Sequence, residues 1–375
     1  MSATPPTPIY IFREHEDQIN HLEFYQNNTK LISGDAEGNI IIWDMKIKRP
    51  ALKFKAHNKG ILKCLVLADK LISHGRDNLL KVWKIDQNSL SFTETGDKIV
   101  EMNDEDEIDE QKDSDELLPK LEKCLSVNSL NFCKFDYCFK GENNQDILIA
   151  VPSSKESTAI DIWDLSIQQQ IITLKLDIKQ EIGYCMAIKF FQHPTIKSKF
   201  LILAVYENGG LTLWTLTSNK SNNNISNELL SYKQSWIIKE HKETALALDV
   251  SMNRKFAIST AGDNKIVKYI FDEDFEKEPL INNVEIKYSG IADVKIRSDS
   301  KIFATAGWDS KIRVFSSKTM KPLAILSYHK ESVYSLAFTY IFSHENNNSL
   351  IENEIQDHFL VGGGKDRKIS LWKIY

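Results

Sequence analysis

Apolar residues in this chain fall in short runs separated by polar turns, and helical periodicity is nearly absent. The clearest stretch runs from Lys301 to Tyr328, with His329 just behind it. It reads as a strand (IFATAG), a tight turn (WDS), a second strand (KIRVF), a polar turn (SSKTMK) and a third strand (PLAIL). The run Phe200–Ala204 is apolar on both faces, as expected where a sheet packs against sheets on either side. The pattern predicts an all-β protein of short strands.

The same stretch recurs along the chain in weaker copies, and three spacings define it. Seven aromatic residues align on the second of its three strands: Trp43, Trp83, Trp163, Trp214, Tyr269, Phe315 and Trp372. Six positions before each, an acid or its amide is expected to hold the turn in most copies: Glu37, Asp77, Ser157, Asn208, Asp263, Asp309 and Asp366. A small residue stands ten positions before the aromatic in several copies (Ser33, Ser73, Ser259, Thr305), and a histidine precedes four of them (His15, His57, His241, His329). Seven units of roughly 40 to 57 residues predict a seven-bladed WD40 β-propeller.

Where a blade carries the recurring side chains, they are predicted to form a buried hydrogen-bond set that leaves no polar group without a partner. The second copy has the complete set, and the fifth has it with Tyr269 in place of tryptophan. The third copy lacks both the histidine and the acid, so we expect it to be the least regular. The predicted network residues are His57, Ser73, Asp77, Trp83, His241, Ser259, Asp263, Asp309, His329, Asp366 and Trp372.

The two ends of the chain predict how the ring closes. Ile9–Phe12 reads as a short strand, whereas the last copy stops at Trp372–Tyr375 after three strands. The N-terminal strand is therefore expected to complete the last blade, which removes an open sheet edge. The predicted organisation is a disordered lead (1–8), one propeller domain (9–375), an acidic disordered insertion in blade 2 (86–118), an Asn-rich insertion in blade 4 (218–230) and a polar insertion in blade 7 (343–357).

Composition and charge give little indication of a binding or catalytic site. The chain is 42% hydrophobic and 26% charged with a formal net charge of -5, and Glu101–Glu116 carries ten acids against one lysine, so the remainder is near +4. This balance gives little support for a nucleic-acid or membrane surface. The five cysteines show no CxxC pair, which is typical of reduced thiols in an intracellular protein, and the spacing of Cys124, Cys133 and Cys138 is wrong for the usual zinc knuckles. No metal, cofactor, leader or membrane span is predicted.

Two motifs resemble catalytic or nucleotide sites but have simpler explanations. His57, Ser73 and Asp77 could be taken for a hydrolase triad, yet the blade repeat explains them without a nucleophile. The run Val361–Lys365 resembles a phosphate loop, but it lacks the first glycine and has Asp366 where a magnesium-binding hydroxyl would stand. A ligand site in the central channel would need titratable groups on the innermost strands, and Thr244–Val250 and Ser332–Phe338 offer few. No catalytic residue is predicted.

Candidate partner-binding residues lie beside the turn acids. Trp308 precedes Asp309 and Arg76 precedes Asp77, and Trp and Arg are enriched in interface hot spots. Lys365 and Arg367 flank Asp366 and would extend this surface with positive charge. Packing of Trp308 over the neighbouring blade is an equally good interpretation.

Several longer motifs point to one family. They are GIADVKIR (290–297), FATAGWD (303–309), IRVF (312–315), PLAIL (322–326), LISHGRD (71–77) and KISLW (368–372). With them the chain resembles the fungal ASTRA-associated protein 1 family, which is similar to the animal G-protein β-subunit-like protein 1. The WD-repeat resemblance covers essentially the whole ordered chain.

The resemblance implies a nuclear, non-enzymatic scaffold subunit of the ASTRA assembly, with the cytoplasm as a second location. In the family this assembly joins a giant phosphatidylinositol-kinase-related protein, a co-chaperone trio that helps such kinases mature, and AAA+ ATPases, and it is linked to chromatin remodelling. The protein would then be a monomer within a hetero-complex, with protein partners and without direct contact to nucleic acid or membrane. The alternative is a WD40 substrate adaptor of a ubiquitin ligase, and a third possibility is an enzyme or small-ligand binder that uses the central channel.

Overall fold

Every regular element among the described residues is a β-strand. The computed structural model describes residues 6–86, 118–128, 132–140, 146–177, 182–219, 229–341 and 358–374. Most of the predicted insertions 86–118, 218–230 and 343–357, and the first five residues of the predicted lead, lie outside these ranges. No helix in the described part of the chain combines the length and the apolar character needed to cross a membrane.

The chain divides into two compact units, of which the first comprises Met1–Ser126, Arg297–Phe315 and Pro322–Tyr375. Its strands are β1 (Tyr10–Phe12), β2 (Ile19–Tyr25), β3 (Lys30–Asp35), β4 (Asn39–Asp44), β5 (Arg49–Lys55), β6 (Ile61–Leu67), β7 (Lys70–Gly75), β8 (Leu79–Lys84), β9 (Lys120–Ser126), β23 (Ile302–Gly307), β24 (Lys311–Ser316), β25 (Pro322–Ser327), β26 (Val333–Phe338), β27 (Phe359–Gly364) and β28 (Ile369–Lys373).

The second unit comprises Val127–Ile296 and Ser316–Lys321. Its strands are β10 (Asp136–Phe139), β11 (Ile147–Pro152), β12 (Ile160–Asp164), β13 (Gln169–Leu174), β14 (Cys185–Gln192), β15 (Lys199–Tyr206), β16 (Gly210–Asn219), β17 (Leu229–Lys239), β18 (Ala245–Val250), β19 (Phe256–Ala261), β20 (Lys265–Ile270), β21 (Leu280–Glu285) and β22 (Ile291–Ile296).

The strands form seven four-stranded sheets, which confirms the predicted seven-bladed β-propeller. In chain order, blades 1 to 6 have the strand orders β2-β3-β4-β5, β6-β7-β8-β9, β10-β11-β12-β13, β14-β15-β16-β17, β18-β19-β20-β21 and β22-β23-β24-β25. Blade 7 has the order β1-β28-β27-β26. The N-terminal strand pairs antiparallel with the C-terminal one, with Tyr10 opposite Leu371 and Phe12 opposite Ile369, so the predicted closure is confirmed.

Burial along the strands explains their sequences. The second strand of a blade is packed on both faces, and β3, β11, β19 and β23 are buried at every position. These strands therefore need apolar or small residues throughout instead of an alternating pattern. The fourth strand is a sheet edge, and five of the six residues of β21 are exposed. The core thus lies between sheet faces, and the turns that join the strands carry the exposed functional groups.

Candidate protein-binding surface

A buried hydrogen-bond set fixes the turn of blade 2. His57 Nδ1 lies 2.9 Å from the carboxylate of Asp77, and His57 Nε2 lies 2.7 Å from Ser73 Oγ. The indole N–H of Trp83 donates to the same hydroxyl at 2.9 Å. Burial lowers the pKa of His57 although Asp77 acts in the opposite direction, so the ring is neutral at pH 7. The set ties β7, β8 and the loop that enters blade 2 to the short turn that follows β7.

The same geometry shows whether His57, Ser73 and Asp77 could act as a hydrolase triad. Ser73 is fully buried, and its Oγ already bonds both the imidazole of His57 and the indole of Trp83. A hydrolase nucleophile must reach a substrate carbonyl, and this hydroxyl has no path to one. Asp77 instead accepts hydrogen bonds from the backbone N–H groups of Asn58 and Leu79, which holds the turn. The arrangement is structural.

Blade 5 has the same arrangement, with Tyr269 in place of tryptophan. His241 Nε2 lies 2.7 Å from Ser259 Oγ, and the Tyr269 hydroxyl lies 3.0 Å from that same oxygen. His241 Nδ1 lies 3.1 Å from Asp263. The phenol supplies the hydrogen bond that an indole supplies elsewhere.

The expectation that Glu37 holds the turn of blade 1 is wrong. Asp35 does so instead: it lies 2.8 Å from His15 Nδ1 and accepts the backbone N–H groups of Glu37 and Asn39. Ser33 joins His15 to Trp43, at 2.6 and 2.8 Å. Glu37 is exposed, and the acid that holds this turn stands two positions earlier, at the end of β3.

In blades 6 and 7 the turn acid is held by a different set of residues. In blade 7, His329 lies 2.9 Å from Asp366, but the hydroxyl comes from Ser370 on β28, 2.8 Å from His329 Nε2. Trp372 donates its indole N–H to that hydroxyl at 2.8 Å. In blade 6 a guanidinium takes the place of the histidine, and Arg313 donates through both of its terminal nitrogens to Asp309. The sequence spacing did not reveal Ser370 or Arg313.

The four predicted partner-binding residues lie directly beside these fixed acids. Arg76, Trp308, Lys365 and Arg367 are all exposed, and Trp308 exposes 47% of its surface. Because each turn is held by its acid, the exposed side chains start from an ordered backbone. Arg367 also adopts a left-handed backbone (φ 63°).

Hydrogen bonds bring part of this group together. Ser332 Oγ donates to the Trp308 carbonyl oxygen at 3.0 Å, and the backbone N–H of Lys365 donates to the Ser332 carbonyl oxygen at 2.8 Å. The turns that carry Trp308 and Lys365 are therefore joined through one residue. The backbone N–H of Arg76 donates instead to the Gly60 carbonyl oxygen at 2.8 Å, in the loop that enters blade 2.

Known proteins resemble this chain over nearly its full length. Residues 6–44, 284–316 and 320–373 match the WD domain, G-beta repeat family. The chain is 31% identical to an ASTRA-associated protein 1 from Aspergillus flavus and 30% identical to one from Penicillium rubens, in each case over 99% of this chain and 98% of the relative. This chain belongs to the ASTRA-associated protein 1 family. It is also 27% identical to the mouse guanine nucleotide-binding protein subunit beta-like protein 1, over 99% of this chain and 97% of the mouse protein.

The innermost strands of this ASTRA-associated protein 1 family member carry more charge than the sequence suggested. In the second unit, Lys189 on β14 lies 2.7 Å from Asp249 on β18, and Asp249 also accepts the backbone N–H of Ile296 at 2.7 Å. Asp136 accepts the backbone N–H of Phe190 in the same way at 2.8 Å. Burial would lower the pKa of Lys189, but the nearby aspartates outweigh it and raise that pKa. These groups satisfy one another's hydrogen bonds and charges across neighbouring blades. Their role is therefore structural.

Proposed function

We propose that this protein is a non-catalytic WD40 scaffold subunit of the ASTRA complex and that it docks through its short-turn surface. We define the short-turn surface as the turns that carry Arg76, Trp308, Lys365 and Arg367. The proposal draws on the names of the relatives and on the WD domain match. Those names favour this assembly over the ubiquitin-ligase adaptor considered above.

The exposed indole of Trp308 carries the proposal. A large aromatic ring that leaves 47% of its surface in solvent keeps apolar area that a partner can bury, and this burial favours binding. Trp308 sits on a turn held at Asp309 by the guanidinium of Arg313 and by the backbone N–H of Lys311. Because the backbone is ordered before binding, little conformational entropy is lost when the ring enters a partner pocket. These are the properties of an interface hot spot.

The finer role follows from the family resemblance. The protein would help to assemble or stabilise phosphatidylinositol-kinase-related proteins with their co-chaperones and AAA+ ATPases, and through them it would be linked to chromatin remodelling. Its working location would be the nucleus. A scaffold with this role needs no active site and no cofactor, and the buried hydroxyl of Ser73 is consistent with that assignment.

Affinity purification of the tagged full chain from its own cells tests the proposal. The wild type is compared with an Arg76→Ala/Trp308→Ala double variant, and co-purifying chains are identified by mass spectrometry. Leu323→Ala, which truncates another exposed apolar side chain on the edge strand β25, is the control. We expect the wild type and the control to bring down a kinase-related protein with its co-chaperones, and the folded double variant to lose them. Ubiquitin-ligase subunits in place of these proteins would overturn the proposal.

A further inference from the structure

We infer that the short turns of blades 6 and 7 bind an acidic, extended segment of a partner protein, with Trp308 as its apolar anchor. The inference rests on the proposed function, because it names the partner chemistry for part of the same surface. We define the turn patch as residues 308–311, 328–332 and 365–368, all of which the structure describes.

The turn patch is basic around a single aromatic ring. Its exposed residues are Trp308, Lys330, Glu331, Lys365 and Arg367, which is three cations and one carboxylate. Half-buried Lys368 adds a further cation, 6.0 Å from the centre of the Tyr328 ring. An apolar ring bordered by cations favours a ligand that presents carboxylates on both sides of an apolar side chain.

The other two acids of the turn patch offset its cations only in part, because Lys311 and Lys368 bring the cations to five against three carboxylates. Asp309 is bound by the guanidinium of Arg313, and Asp366 by His329. Burial alone would raise the pKa of each carboxyl, but these partners lower it, so both stay ionised and remain engaged below the surface. With these acids counted, the turn patch still has a net positive charge.

The one exposed carboxylate is weakly held. Glu331 Oε1 lies 3.9 Å from Lys365 Nζ, and both side chains keep about half of their surface in solvent, at 49% and 54%. Exposed ion pairs of this kind contribute about 0 to 1 kcal/mol. A partner carboxylate can therefore displace Glu331 from Lys365 at little cost.

The charges on the turns of blade 1 limit where an acidic segment can bind. Their exposed residues include Glu14, Glu16 and Glu37 against Arg13. Like charges would repel an acidic ligand there, so it should stay on blades 6 and 7. A nucleic acid is a poorer candidate than a peptide, because its continuous negative charge needs a longer basic track than three exposed cations provide.

Site-specific photo-crosslinking in the protein's own cells tests the inference. A p-benzoylphenylalanine in place of Glu331 keeps Trp308 and all the cations intact. The matched probe replaces Lys301, which is exposed and precedes β23, whereas Trp308 follows β23. We expect the probe at position 331, and not the one at position 301, to crosslink to a partner segment rich in Asp and Glu. Sequencing of the crosslinked peptide by mass spectrometry reads this out.

Charge reversal provides the second arm of the test. Lys330→Glu/Lys365→Glu should reduce the crosslink at position 331 by at least roughly tenfold, because two attractions become repulsions. Lys301→Glu should leave it unchanged, and circular dichroism confirms that each variant is folded. Arg367 is not substituted, because its left-handed backbone makes a change there liable to disturb the turn.

The outcomes separate the inference from the proposed function. A crosslink to a neutral or basic peptide, a crosslink to nucleic acid, no crosslink, or one that survives the charge reversal would overturn the acidic-segment inference. An acidic segment from a protein outside the ASTRA assembly would support the inference while contradicting the proposed function. A neutral segment from an ASTRA subunit would do the reverse.

Discussion

Two acids in the turn of blade 1 have opposite environments. Asp35 is fully buried and bonds His15 and three neighbouring backbone and side-chain N–H groups, whereas Glu37 is exposed. Removal of Asp35 leaves these buried donors without an acceptor, and each such loss costs about 1 to 3 kcal/mol. The position of the carboxylate, not its presence in the turn, decides its contribution.

Asp35→Ala should therefore lower the free energy of unfolding by about 1 to 3 kcal/mol. Glu37→Ala, two residues away, should stay within about 0.5 kcal/mol of the wild type, as surface substitutions usually do. Denaturant titration of the two variants beside the wild type measures the difference. Equal stability of the two variants would contradict the assignment of Asp35 to the network.

Asp77→Ala makes the corresponding test in blade 2, where Asp77 accepts the backbone N–H groups of Asn58 and Leu79. We expect a loss of about 1 to 3 kcal/mol. Asn78→Ala is not a suitable control because Asn78 has φ 65°, so Lys84→Ala, an exposed residue of the same blade, serves instead. A denaturant midpoint for Asp77→Ala equal to that of Lys84→Ala would argue against the buried network.

The buried imidazoles predict a loss of stability in mild acid. Burial lowers the pKa of His57 and of His241 in the folded protein. The unfolded chain then binds protons from about pH 6.5 downward while the folded protein does not, so the free energy of unfolding should fall as the pH drops from 7.5 to 5.5. His57→Gln should weaken this dependence, and denaturant titrations at the two pH values measure it. A variant with the full wild-type dependence would exclude His57 as a source.

Spacing alone could have located some of these residues but not others. Asp35 follows His15 by 20 positions, as Asp77 follows His57, and that match was the available signal. Ser370 could not be found in this way, because its hydroxyl reaches the same point in space from a different strand. Arg313 could not be found either, since a guanidinium on β24 replaces a histidine from the preceding loop.

The N-terminal strand is short, yet it carries much of the closure of blade 7. Only three residues of β1 pair with β28, but Phe12 is buried and its ring packs edge-on against Trp43 of blade 1 at 4.9 Å. Its contribution thus comes from one aromatic contact in addition to the backbone pairing.

Deletion of residues 1–13 should lower the melting temperature of the protein, because blade 7 loses its fourth strand. Phe12→Ala should reproduce much of the effect, since truncation of a buried phenylalanine costs about 3 to 5 kcal/mol. Tyr10→Ala is the matched control, because Tyr10 is exposed. A deletion variant that melts at the wild-type temperature would refute the closure.

Strands were easier to predict than the contacts between blades. The second strands, such as β23, are apolar throughout because both faces are packed, and that signal survives in the sequence. The ion pair of Lys189 with Asp249 leaves no comparable pattern in the sequence, because each residue has its partner on a neighbouring sheet. The register shifts that recur near the start of the first strands, as between Ile19 and His21, are likewise set by the paired strand.

Across the chain, the repeat predicts the fold, but it does not predict which turns bind a partner. Every blade has short turns, and only the exposure of Trp308 and the distribution of charge around it distinguish blades 6 and 7 from blade 1. The acidic run 101–116 lies outside the described residues, so the charge argument rests on the turns alone.

Sedimentation of cell extract through a sucrose gradient tests the central claim most directly, with the tagged wild type beside Trp308→Ala and the control Leu323→Ala. We predict that the wild type and the control sediment with a large assembly that contains a kinase-related protein, whereas folded Trp308→Ala sediments as the single chain. A wild type that sediments as the single chain, or a Trp308→Ala variant that stays in the assembly, would contradict docking through this surface.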